Sequence, residues 1–209
     1  MRKHNGMRPQ DILIILAILA DWKKIRAYKM SIESSHQNDY SNQEPGGTKM
    51  VFSLSPFTNI PVSNKEMAQA LQISESEVSE SLYRSEYAGL ISNVKMKKVN
   101  KQAFIDFLFY GLKYVFPARP SGIGRGFATA HSAPPLSEKI VSEENFIWEH
   151  PEGNMRGLII EPLYKTIPNI IYSSSYLYEL LALTDGLRAG NSRVYNLARE
   201  LIENKINEV

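Results

Sequence analysis

Ser63–Ile91, SNKEMAQALQISESEVSESLYRSEYAGLI, decides how this chain is read. Ser63 with Glu66, and Ser74 with Glu77, form two S-x-x-E patterns, in which a Ser side chain and the Glu three residues on satisfy free N–H groups at a helix start. The spacing predicts one helix from Asn64 to about Leu71, burying Met67, Ala68 and Leu71, and a second from Glu75 to about Ala88, burying Val78 and Leu82. Gln72 and Ile73 make the tight turn between them. Ala68 is small where the helices cross, and Ile73 fills the space beneath the turn. Gly89 supplies a left-handed stop, and Leu90-Ile91 begins a strand.

Upstream, Pro9 suits the first position of a helix and Asp11 the negative charge favoured in a first turn. That helix is predicted to run to about Tyr28. Its apolar run, Ile12 to Ala20, follows Arg2, Lys3 and Arg8 in the manner of a leader. It falls well short of the roughly 18 to 20 residues a bilayer needs, and Asp21, Trp22, Lys23 and Lys24 follow with no small-residue cleavage pattern. The reading is a buried helix and a cytoplasmic, non-membrane protein, which the absence of cysteine permits. Apolar residues on more than one face of this helix suggest a homodimer. Residues 31–48 turn polar and lose all apolar period, so 31–62 reads as a loop insertion, with a short strand at Met50–Leu54 and a turn between Pro56 and Pro61.

The 63–91 stretch resembles the helix-turn-helix of the winged-helix superfamily, most nearly the MarR-like transcriptional regulators, with the wider domain covering 8–116. The resemblance implies a bacterial-type, sequence-specific regulator that binds double-stranded DNA as a dimer, its second helix in the major groove, with no cofactor and no catalysis. Ser76, Ser79, Glu80, Tyr83 and Arg84 are then the base-reading candidates, with Arg84 the best bidentate donor to guanine. Ser92-Asn93 is predicted to turn a hairpin, the wing, whose Lys95, Lys97, Lys98 and the following Lys101 would neutralise phosphates. The charge distribution agrees: residues 1–130 carry 17 Lys/Arg against 11 Asp/Glu, and residues 131–209 carry 7 against 11.

This sequence departs from the family pattern in three places. Gln72 stands where glycine is usual, so a positive φ there costs about 1 kcal/mol. Ser85 replaces an apolar residue, leaving Tyr83 or Tyr87 to complete the core. The second helix is acidic, with Glu75, Glu77, Glu80 and Glu86 against Arg84 alone, and Glu80 stands where such regulators often carry arginine. That acidity keeps a second reading open, an antitoxin-like protein-interaction module on the same scaffold.

The expected fold is mainly α with a small β-sheet: a winged helix-turn-helix domain over 1–116, and an α-rich region over 117–209 that serves dimerisation, sensing or partner docking. Lys101–Phe116 reads as an apolar helix ended by Pro117 and packed on the first helix. Arg119-Pro-Ser-Gly-Ile-Gly-Arg125-Gly126 reads as a glycine-rich loop, with Arg119 and Arg125 as candidates for a DNA-backbone or anion contact; it lacks the lysine-serine of a phosphate-binding loop and the spacing of a dinucleotide fingerprint. His131 and His150, the latter beside Glu149 and Glu152, lack metal-ligand spacing, and no Ser-His-Asp order stands out, so neither a metal nor an enzyme is expected. Gly157–Glu161 reads as a strand. Ser173–Arg188 and a last helix through Val194, Leu197, Ala198, Leu201 and Ile202 read as a terminal hairpin.

Overall fold

The computed structural model describes residues 6–21 and 63–209. A first helix, α1, occupies 9–21; the rest of the helix expected to Tyr28, the polar loop and the strand at 50–54 lie outside the described residues. Every residue from Ile12 to Ala20 is buried within the one chain. The all-round apolar character of this helix is thus accounted for inside the protomer and is no evidence for or against a second copy.

Two crossed helices follow, α2 (Asn64–Leu71) and α3 (Glu75–Tyr87). At α2 the capping box is complete: Ser63 Oγ accepts from Glu66 N–H, and Glu66 accepts from Ser63 N–H. At α3 only half of it forms. Ser74 Oγ accepts from Glu77 N–H, but the Glu77 carboxylate turns away to Gln10 and Arg84. Gln72 does adopt the left-handed conformation, φ 53°, and its N–H bonds back to α2 carbonyls. Gly89, φ 76°, closes α3 with the Leu90 N–H on Ser85 C=O and the Gly89 N–H on Glu86 C=O, a Schellman stop.

Strands β1 (Ile91–Asn93) and β2 (Lys98–Val99) pair antiparallel. The hairpin turns over Val94–Lys97 rather than at Ser92-Asn93. Asn93 remains in the strand and caps the turn, its Oδ1 accepting from Met96 N–H, an Asx-type device that sequence spacing places two residues early. The helix expected over 101–116 breaks at Gly111 into α4 (Lys101–Tyr110) and α5 (Leu112–Val115). α4 packs on the terminal hairpin.

The glycine-rich segment is a loop only as far as Gly122. Ile123–Ala128 is strand β3, antiparallel to both β4 (Phe146–Glu149) and β5 (Met155–Ile159), which run parallel to each other and close a three-stranded barrel. Here the glycines serve close packing: a Cβ on Gly126 would stand 1.8 Å from Trp148 O, and one on Gly157 2.4 Å from Asn145 O. β5 starts two residues before the strand expected from sequence. After the short α6 (Ile167–Ile170), α7 (Ser175–Ala189) and α8 (Ser192–Asn207) form the expected hairpin. The molecule is therefore mainly helical with small sheets.

α7 is buried on all sides from Leu180 to Leu187, including Thr184 and Asp185. Asp185 is tolerated because its carboxylate accepts from Thr129 Oγ1 at 2.9 Å, Trp148 Nε1 at 2.6 Å and Arg188 at 2.6 Å. Arg188 also donates to Phe116 O and Glu161 O, and Tyr195 OH donates to Phe109 O. Side chains of the second half thus bond to backbone on both sides of residue 117. One core runs through the described residues, from Ile12 to Ile206.

The contact that locates α1 is ionic. Asp11, fully buried, receives Arg84 Nη2 at 2.7 Å and Arg84 Nε at 3.1 and 3.2 Å. Replacing Asp11 by Ala leaves a buried guanidinium short of its main partner and is expected to cost about 3–5 kcal/mol, read as a fall in the denaturant midpoint. A loss under about 1 kcal/mol, the size of an exposed ion pair, would contradict this picture.

Candidate nucleic-acid interface

α3 has two faces. Val78, Ser81, Leu82, Arg84 and Ser85 point inward, whereas Ser76, Glu80, Tyr83 and Tyr87 run down the outer surface, with Ser79 and Glu86 beside them. Tyr83 is 50% and Tyr87 68% exposed, so neither completes the core beside Ser85. The Ser81 and Ser85 hydroxyls are buried with no hydrogen-bond partner among the described residues. Four of the five base-reading candidates, Ser76, Ser79, Glu80 and Tyr83, share the outer stripe. Ser76, Glu80 and Tyr83 are exposed there and Ser79 is half-buried.

Arg84 must be corrected. Its side chain is 10% exposed, and its guanidinium bonds Asp11, Glu77 Oε1 at 2.5 Å and, at 3.6 Å, Glu80. Burial works against the charge on Arg84, but the hydrogen bonds to Asp11 and then Glu77, with their negative charges, more than offset it and raise the pKa. With Nε and Nη2 spent on Asp11 and Glu77 and the side chain turned inward, Arg84 does not stand on the outer stripe as a bidentate donor to guanine. Gln10 on α1 and Arg8 just ahead of it complete the cluster, Gln10 Nε2 donating to Glu77 at 2.8 Å and Arg8 lying 3.8 Å from it. Sequence reasoning assigned Asp11 only to the helix dipole. The available signal was a carboxylate at the head of a run with no exposed face, which requires a buried cation.

The hairpin places Lys95 and Lys98 at the exposed surface next to α3, as expected for phosphate contacts. Lys97 departs from that expectation: it sits in the turn at φ 48° and is 6% exposed. Burial pushes its ammonium pKa down, opposed by the charge of Glu66. Lys101 is half-buried at the start of α4. Arg119 is exposed ahead of the barrel. Arg125 lies on β3, its Nε donating to Gly153 O.

Both histidines are engaged. His131 Nε2 bonds Glu144 O at 2.8 Å; His150 stacks on Phe127, bonds Asn169 Oδ1 at 3.0 Å, and accepts from Glu152 N–H through Nδ1. Among the described residues no group of three or more His, Asp or Glu is placed to hold a metal, and no helix is long and apolar enough to cross a membrane. Compared with known proteins, the chain matches no family model, no curated protein and no solved structure.

Glu77 gives the cluster a pH dependence. Desolvation pushes its carboxyl up, but the hydrogen bonds from Gln10 and Arg84 and the charges of Arg84 and Arg8 bring it below the usual carboxylate value. A depressed folded pKa contributes stability that is present above the unfolded value and lost as pH falls through the folded one. Acid titration of the melting temperature is expected to show a drop in the carboxylate range that is shallower in Glu77→Gln. A variant with the wild-type slope would remove Glu77 from the cause.

Proposed function

We propose that this chain is a cytoplasmic, non-catalytic DNA-binding transcription regulator on a winged-helix scaffold. The reading is supported by one observation above all: Ser76, Glu80 and Tyr83 are exposed along α3, and the adjoining hairpin holds Lys95 and Lys98 at the surface. In this reading the hairpin lysines contact the phosphate backbone, and Ser76, Ser79 and Tyr83 meet the groove. Glu80 accepts from an exposed cytosine amine there. With Arg84 committed to Asp11, phosphate contacts supply most of the affinity and specificity is modest.

The test is a salt titration with duplex from the chain's own upstream region. Each phosphate contact contributes about 0.9 to the slope of log K against log salt, so Lys95→Glu with Lys98→Glu is expected to flatten the slope by about 2 and weaken binding strongly at low salt. No duplex binding by the wild type at low salt would end the proposal.

A second reading is favoured by the sequestration of Arg84. Among the described residues it leaves Glu75, Glu80 and Glu86 near Tyr83 and Tyr87 with no cation on the outer stripe, a surface suited to a basic protein partner. Under this reading a partner co-purifies with the wild type and with the Lys95/Lys98 variant, and is lost on Tyr83→Ala with Tyr87→Ala.

A further inference from the structure

Arg125 and Arg156 face each other directly across β3 and β5. The bond from Ile159 N–H to Gly122 O sets the alternation along this pair of strands, and the Arg125 carbonyl is used on the other side, by His150 N–H. Arg125 and Arg156 are therefore a non-hydrogen-bonded pair, the kind in which opposed Cα atoms approach to about 4.5 Å and side chains lie closest. Like charges in that position repel.

The register has no room to relax. Each arginine is followed by a glycine, Gly126 or Gly157, pressed against the β4 backbone so closely that any Cβ would collide. Sliding β3 past β5 by one residue would put a side chain there and turn Arg125 to the face opposite Arg156. Gly153, whose own Cβ position falls 2.2 Å from Gly126, offers its carbonyl to Arg125 Nε and fixes the direction of that guanidinium while leaving its two Nη groups. Arg156, exposed, has no side-chain hydrogen bond or ion pair among the described residues. The nearby Glu149 does not neutralise the pair. Its carboxylate lies 3.5 Å from where a Cβ on Gly124 would stand, and Gly124 faces opposite to Arg125. Beside the arginines, on their own face, stands the pair Ile123 and Leu158, with Ile123 65% exposed.

We propose that Arg125 and Arg156 form a binding site for a phosphate group on the outer face of the three-stranded barrel. Two arginines on directly opposed strand positions, with donors unspent, match a tetrahedral, multiply charged oxyanion, which offsets their repulsion and accepts paired hydrogen bonds. The Ile123–Leu158 shelf receives the apolar part of whatever carries the phosphate. The site stands apart from α3 and does not rest on the groove-reading role of that helix.

The experiment uses the full chain, with inorganic pyrophosphate and a short duplex DNA as probes and sodium chloride at matched ionic strength as control. Pyrophosphate is expected to raise the melting temperature above the chloride control, as a ligand of the folded state does. Arg156→Gln is expected to weaken pyrophosphate roughly tenfold or more, and, with the repulsion gone, to melt no lower than the wild type in ligand-free buffer. If duplex binding falls with Arg156→Gln and pyrophosphate competes with duplex, the phosphate belongs to a nucleic-acid backbone; if duplex binding is unchanged, the ligand is a small phosphate ester. Equal pyrophosphate affinity in the two proteins, no stabilisation beyond chloride, or a lower ligand-free melting temperature in the variant overturns the site. A wild type that binds pyrophosphate but no duplex fails the DNA reading alone.

Discussion

The position of α1 depends on the ion pair between Asp11 and Arg84. Hydrophobic burial is non-directional, and a helix apolar on every side gains as much from one rotation about its axis as from another. Arg8, Gln10 and Asp11 at its N-terminal end break that symmetry. Asp11 cannot be buried without a cation, and Arg84 reaches it only when α1 presents that side to α3. The helix is thus fastened by its head, and the apolar run behind it fills the core.

The same pairing governs what α3 can offer. The arginine in the last turn of α3 is turned inward to hold α1. What is left outside is acidic, hydroxylic and aromatic, and the exposed cations Lys95 and Lys98 stand on the neighbouring hairpin. The second half repeats the device: Asp185 lies deep in α7 and is held by Arg188, Trp148 and Thr129. In the first half the carboxylate–arginine pair itself joins two helices; in the second both members lie on α7, and it is their further bonds to Thr129, Trp148 and Phe116 that tie α7 to its neighbours.

The barrel shows how glycine changes meaning with context. In a linear reading, glycines alternating with arginine suggest a loop cradling an anion. In the fold they are the points where three short strands approach too closely for any side chain, and the arginines are carried on the opposite face of the same strand. The cationic character that drew attention to Arg125 persists, but its companion is Arg156 from β5 rather than Arg119 from the preceding segment.

The sequence by itself determined what depends on neighbours along the chain. The two Ser caps, the turn at Gln72, the stop at Gly89, the α7–α8 hairpin and the burial of Ile12–Ala20 follow from spacing, backbone conformation and hydrophobic pattern, which are local. Tertiary structure decided every question of pairing across distance: that Glu77 abandons its cap for Arg84, that Arg84 belongs to Asp11 rather than to the surface, that Lys97 folds inward, and that 123–128 is a strand. A charged side chain's energy is set by the group it meets and the water it loses, and neither is written in the residues beside it.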